Sequence, residues 1–246
     1  MIIGMIMMMS FGLIDTFFVS LLGTEPLAAI SFTFPVTFTL ISLNIGLGIG
    51  TSAVIARLAG QGKQDGARET GSGALMLSFI MVGILALCGG LSIDFVFQLL
   101  GAQQHLMPHI HDYMEIWYFA SVFLALPMVG NSVLRARGDT KTPSIIMATG
   151  GGINALLDPL FIFGFGPVPA MGIGGAALAT LISWIVCSVW ILYLLARQRN
   201  YILPRLLTVK ELAERHNCSE SAVKMRLKRL KKKISTLYQA LEMEVI

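Results

Sequence analysis

Six stretches of mostly apolar residues fill the first 200 positions of this chain, at about 2–22, 27–58, 73–93, 113–134, 143–164 and 172–196. A helix of about 20 such residues crosses the hydrocarbon core of a bilayer. Inside that core every backbone N–H and C=O must be bonded within the segment, which leaves helices as the solution for runs of this length. The pattern therefore predicts an all-α polytopic membrane bundle of six transmembrane helices. Charge supports this: 13% of residues are Asp, Glu, Lys or Arg against 55% hydrophobic, about half the charged share of a soluble domain. Mean hydropathy is +0.74. In the long second stretch, Pro35 with Gly46, Gly48 and Gly50 is a candidate bend.

The connections orient the bundle. Arg57, Lys63 and Arg68 lie between spans two and three, Arg135, Arg137 and Lys141 between spans four and five, and Arg197 and Arg199 after span six. The other three connections, including Gly101–Asp112 and Phe165–Ala170, carry no Lys or Arg. This alternation is the positive-inside pattern and predicts that both termini are cytoplasmic. The N-terminus "MIIGMIMMMSFGLIDTFF" has no basic leader and no small-residue cleavage site, so it is read as a retained helix rather than a signal peptide.

Charge divides the chain in two. Residues 1–200 hold 8 Lys and Arg and 9 Asp and Glu, and residues 201–246 hold 10 and 5. The break predicts two domains, 1–200 and a basic helical tail at 201–246. Cys88, Cys187 and Cys218 are far apart and form no CxxC pair, which argues for neither a disulfide framework nor a zinc site.

Ionisable side chains are expensive in a bilayer and usually face a cavity in which they act. Asp15 lies in span one within "GLIDTFFVSLLG", and Asp158 in span five within "GGGINALLDPLFIFG". Asn154 precedes Asp158 by four residues, which puts both on one helix face. Pro159 follows, and its ring disfavours bonding to the carbonyl of residue 155. A carboxylate, an amide and a freed carbonyl make an oxygen site for a small cation, with a proton as the alternative ligand. The plainer reading is helix-end chemistry before a proline turn. Asp94 is expected at the interface. Glu115 and Trp117 are expected at the mouth of span four, in the aromatic belt. His105, His109 and His111 are read as a solvated outer loop, with metal binding as the lesser option. There is no HExxH, P-loop, nucleophile elbow or Rossmann fingerprint, so no enzyme and no cofactor is expected.

The stretches "IDTFFVSLLGTEPLAAISFTFP", "GIGTSAVIARLAGQGKQDGAR", "VLRARGDTKTP", "NALLDPLFIFG" and "GIGGAALATLIS" resemble the N-terminal lobe of the multidrug and toxic compound extrusion (MATE) transporters. The resemblance covers residues 1–200. It implies a cation-coupled antiporter, driven by H+ or Na+, that exports small, mostly cationic organic compounds across the inner membrane of a bacterium. It implies a coupling site at Asp15, Asn154, Asp158 and, by a looser alignment, Thr180. Arg135, Gly138, Asp139 and Thr140 match an inner-loop motif read as structural. Members of the family carry two six-span lobes and this sequence matches one. A homodimer, or a separate second lobe, is therefore topologically allowed.

Residues 207–234, "LTVKELAERHNCSESAVKMRLKRLKKKI", read as a helix-turn-helix with Ser219 as an N-cap. They resemble the part of bacterial sigma factors that reads the −35 element. That resemblance implies DNA as a partner, with Ser221, Lys224 and Met225 nearest base edges and Arg226, Arg229 and Lys231–Lys233 on phosphates. Two other readings stay open. Val223, Leu227, Leu230, Ile234, Leu237 and Leu241 form a short heptad seam, and a basic juxtamembrane helix would lie on anionic lipid. The functional alternatives to transport are accordingly a membrane-tethered transcriptional regulator or a fusion or truncation joined near Asn200.

Overall fold

The computed structural model describes residues 12–167, 169–198 and 201–202, and these are almost wholly helical. Residues 12–20 form the described part of α1. Then come α2 (Thr24–Gly60), α3 (Gln64–Leu91), the short α4 (Ile93–Leu99), α5 (Met107–Ala136), α6 (Lys141–Phe163) and α7 (Ile173–Tyr193). A 3-10 turn at Gln104–Leu106 leads into α5, and a π turn at Leu194–Gln198 extends α7. Five of the described helical segments are long and apolar enough to cross a membrane. The chain is an all-α membrane bundle. The first half of the expected first span lies outside the described residues. So does the tail at 207–234, with Ser221, Lys224, Met225, Arg226 and Arg229.

α2, α3, α5 and α6 begin before the apolar stretches that announced them. α5 begins at Met107 rather than near residue 113, so much of the expected outer loop is helix: His109, His111 and Asp112 ride on its first turns. A helix can carry polar residues past the apolar core, and hydropathy counts only the core. α2 passes through Pro35 as one helix.

α5 stands at the centre, packed against α2, α3 and α7, and α7 in turn packs on α6. One apolar core gathers around Trp117, Met114, Phe97 and Ile162. The other lies toward the far end of α5, around Val129, Val133, Ile146 and Ile191. Leu77, Ile84, Leu87 and Leu156 point outward, as lipid-facing residues must. Close approach depends on particular glycines. A Cβ at Gly175 would lie 2.5 Å from the Phe161 backbone, and one at Gly150 would lie 2.6 Å from Cys187 Sγ. α6 and α7 therefore touch backbone to backbone, as small-residue packing allows.

The connections are also built locally. Gly138 takes a φ of 86°, and Asp139 caps α6 by accepting from Thr142 N–H at 3.0 Å and from Thr142 Oγ1 at 2.7 Å. This gives the "RARGDTKTP" motif its structural task. At the other end of α6, Met171 N–H and Gly172 N–H bond the Phe161 and Ile162 carbonyls. Met171 and Gly172 are thereby held against the end of the helix that carries Asp158.

Candidate functional site

Asn154 and Asp158 lie on the α6 face that packs into the bundle, and both are fully buried. Pro159 does not end the helix, which runs on to Phe163, so Asp158 lies within the helix and not at its end. Asn154 Nδ2 donates to Asp158 Oδ1 at 3.1 Å and reaches Thr180 Oγ1 on α7 at 3.3 Å. The backbone contact at Gly175, just over one turn earlier on α7, brings that hydroxyl within reach.

α1 supplies Asp15, which is 8% exposed. Its carboxylate accepts from the Tyr113 hydroxyl on α5. Tyr113 lies within electrostatic reach of Asp158 as well as of Asp15, and the two aspartates are within reach of each other. Four helices thus place two carboxylates, an amide and two hydroxyls in one apolar body. Among the described residues no ion pair involves either aspartate.

The hydrogen bonding is incomplete in one direction. Asp15 Oδ1, Asn154 Oδ1 and Asp158 Oδ2 are shut off from solvent and have no partner. All three are acceptors. Buried polar atoms in proteins are generally bonded, so three open acceptors from three neighbouring side chains are a structured demand for a donor or a cation. Oxygen donors of this kind suit a hard cation or a proton rather than a soft metal. Among the described residues no cluster of three or more His, Cys, Asp and Glu is placed to hold a metal ion.

A cavity of about 220 Å³ adjoins this cluster, lined by Asp15, Thr33, Phe34, Tyr113, Trp117, Thr180 and Trp184 among others. Asp15 and Thr180 belong both to the cluster and to the cavity wall, whereas Asp158 does not line it. Trp117 and Trp184 meet edge to face with centroids 6.0 Å apart. Trp117 is therefore not an interfacial belt residue: it is 3% exposed and part of the cavity. Tyr113 has no counterpart in the sequence expectations. An aromatic residue at the predicted edge of a span reads as an anchor, and the extra turns of α5 turn it into a buried one.

The histidines do not form the site. His111 bonds Glu115 Oε1 at 3.1 Å through Nδ1 and Asp94 Oδ1 at 3.0 Å through Nε2, and these carboxylates are exposed. His109 lies 3.9 Å from Glu25. The two ring nitrogens of His111 face different acids, so the group ties α4 to α5 and does not converge on an ion.

The MatE family model matches residues 1–160, nearly two thirds of the chain. The chain belongs to the MatE family. Its relatives include an FAD transporter of Shewanella oneidensis, 50% identical over 185 residues, or 75% of this chain and 41% of the relative. The probable multidrug resistance protein YoeA of Bacillus subtilis is 30% identical over 179 residues, covering 73% and 39%. Among solved structures, a mutant of the Vibrio cholerae MATE transporter VcmN superposes with a TM-score of 0.77 at 35% identity, over 82% of this chain and 45% of that one. The chain spans about two fifths of the length of the curated relatives it matches.

Proposed function

We propose that residues 1–200 form the ion-coupling lobe of a cation-driven efflux transporter. Asp15, Asn154, Asp158 and Thr180 take the coupling ion, H+ or Na+, and Tyr113 holds the Asp15 carboxylate toward Asp158. The observation that carries this reading is the set of open acceptors, Asp15 Oδ1, Asn154 Oδ1 and Asp158 Oδ2, buried between helices. A bound cation or a proton would satisfy them, and its loss would leave two negative charges in low dielectric. That gives two states of different energy, which an ion gradient can bias. Membership in a family whose relatives are named as multidrug export proteins supports export as the outcome.

The adjoining cavity supports small aromatic organic cations as cargo. Its described lining offers indole and phenyl surfaces with one carboxylate, Asp15, and no Lys or Arg. An FAD molecule, the cargo named for the Shewanella oneidensis relative, would find surfaces for its ring system there but no cation for its pyrophosphate. Because Asp15 belongs to both the cavity and the ion cluster, a cationic cargo and the coupling ion would compete for the same carboxylate.

Proteoliposomes containing the full chain test this. An imposed H+ or Na+ gradient is expected to drive ethidium movement, and one of the two ions is expected to support it alone. If wild type and Asp158→Asn move ethidium alike, the coupling role is excluded. Saturable movement of FAD in place of ethidium would overturn the cargo reading and leave the ion site standing.

A further inference from the structure

At the far end of α5 from Tyr113, a second polar cluster is unbalanced in the opposite sense. Arg137, one residue past α5, donates through Nη1 to Gln64 Oε1 at 2.5 Å. Gln64 and Arg68 are four apart on α3 and share a face, and Arg68 passes Nη1 to Asp65 at 3.5 Å. The Tyr201 ring lies against the Arg137 guanidinium, 4.6 Å from Cζ to centroid. Tyr201 is itself pinned by its N–H to the Leu195 carbonyl at 2.8 Å, and Ile202 packs into the core beside Val133.

Three donor nitrogens of this pair have no acceptor and are shut off from solvent: Arg68 Nε, Arg137 Nε and Arg137 Nη2. Nε and Nη2 form one edge of the Arg137 guanidinium, the fork that grips two oxygens of one oxyanion. The two cations also oppose each other. Burial pulls the Arg137 pKa below its ordinary value, Tyr201 opposes this, and the Arg68 charge, the smallest of the three effects, lowers it further. Beyond the Arg68–Asp65 contact, solvent-shielded donors left unbonded on two neighbouring cations are unfavourable, and an anion that bonds them would relieve this. A carboxylate has two oxygens, and the Arg137 fork would use both. A phosphoryl group has further oxygens to spare for Arg68 Nε.

We propose that Arg68 and Arg137, with Gln64 and Tyr201 fixing the second guanidinium, form a phosphoryl-binding site at the basic end of the bundle. The phosphoryl group belongs either to a phospholipid headgroup or to free phosphate. Its occupancy ties α3 to the end of α5 and to the segment after α7, and so steadies that end of the bundle.

The test is thermal unfolding of the full chain in neutral detergent, followed by tryptophan fluorescence. One arm titrates inorganic phosphate against sodium chloride at equal ionic strength. The other titrates phosphatidylglycerol against phosphatidylcholine in mixed micelles. A saturable upward shift in the first arm identifies free phosphate, and a shift confined to the second identifies the headgroup. Arg137→Lys keeps the charge and loses the fork, so its half-saturation should rise about tenfold. Arg68→Gln should weaken binding as well, and it carries the test if the first variant fails to fold. No saturable shift in either arm, or equal half-saturation in wild type and both variants, overturns the proposal.

Discussion

Two buried polar clusters sit in the same bundle, one of neutral side chains and one with two carboxylates, and they differ in how far their hydrogen bonding is met. Between α2 and α3, Asn44 and Ser78 are 1% and 0% exposed. Ser78 Oγ donates to Asn44 Oδ1 at 2.8 Å, and Asn44 Nδ2 donates to the Leu40 carbonyl at 3.0 Å. Between α1, α5, α6 and α7, Asp15, Asn154 and Asp158 are also buried but leave three acceptor oxygens open. The first cluster is closed and ties two helices together. The second is missing a donor. Burial is common to both, so it is the unmet hydrogen bonding of neighbouring carboxylates that sets the proposed coupling site apart from the closed pair.

The largest expected effect attacks the frame that holds the open cluster together. Gly175→Ala drives a methyl group into the Phe161 backbone at 2.5 Å, and neither helix can yield without separating Thr180 from Asn154. Folded yield on size-exclusion chromatography should collapse. Gly152→Ala is the control on the same pair of helices: its Cβ would meet nothing within 4 Å, so yield should be unchanged.

Next comes Asp158→Asn, which replaces a charged acceptor by a neutral amide of the same shape. Gradient-driven ethidium flux should fall to the leak of empty liposomes while the folded yield holds. A variant that keeps gradient-driven flux would erase the distinction between the clusters.

Much of this was legible in the residues. An aspartate and an asparagine four apart in an apolar run specify one helix face, and the structure keeps Asn154 and Asp158 on it at 3.1 Å. Alignment through "GPVPAMG" is loose, yet α7 places the Thr180 hydroxyl beside Asn154. Tyr113 and Trp117 were not legible as site residues. Hydropathy ends a span where polar residues begin, and it put both at the edge of the membrane. The helix continues outward through His109 and His111, which moves both aromatics inside. Asn44 and Ser78 sit 34 residues apart in different helices, so their pairing has no local signature at all.

Smaller effects sharpen the contrast. Thr180→Ala removes one hydroxyl from the open cluster and should weaken the apparent affinity for the coupling ion about tenfold, the equivalent of about one hydrogen bond. Folding should be little changed, as read by unfolding temperature. Ser78→Ala in the closed cluster should show the reverse. It should lower stability by about 0.6–1.7 kcal/mol, the range of interhelical hydrogen bonds in membranes, and leave ion affinity alone. If Ser78→Ala shifted ion affinity and Thr180→Ala did not, the assignment of roles would be inverted.

The most direct measurement is the infrared difference spectrum of the full chain in liposomes when Na+ is added or pH is stepped. If the open acceptors bind the coupling ion, carboxyl or carboxylate bands of aspartate should shift, and the shift should vanish in Asp158→Asn but persist in Ser78→Ala. An unchanged aspartate spectrum under both Na+ and pH steps, or a shift that survives in Asp158→Asn and Asp15→Asn alike, would contradict it.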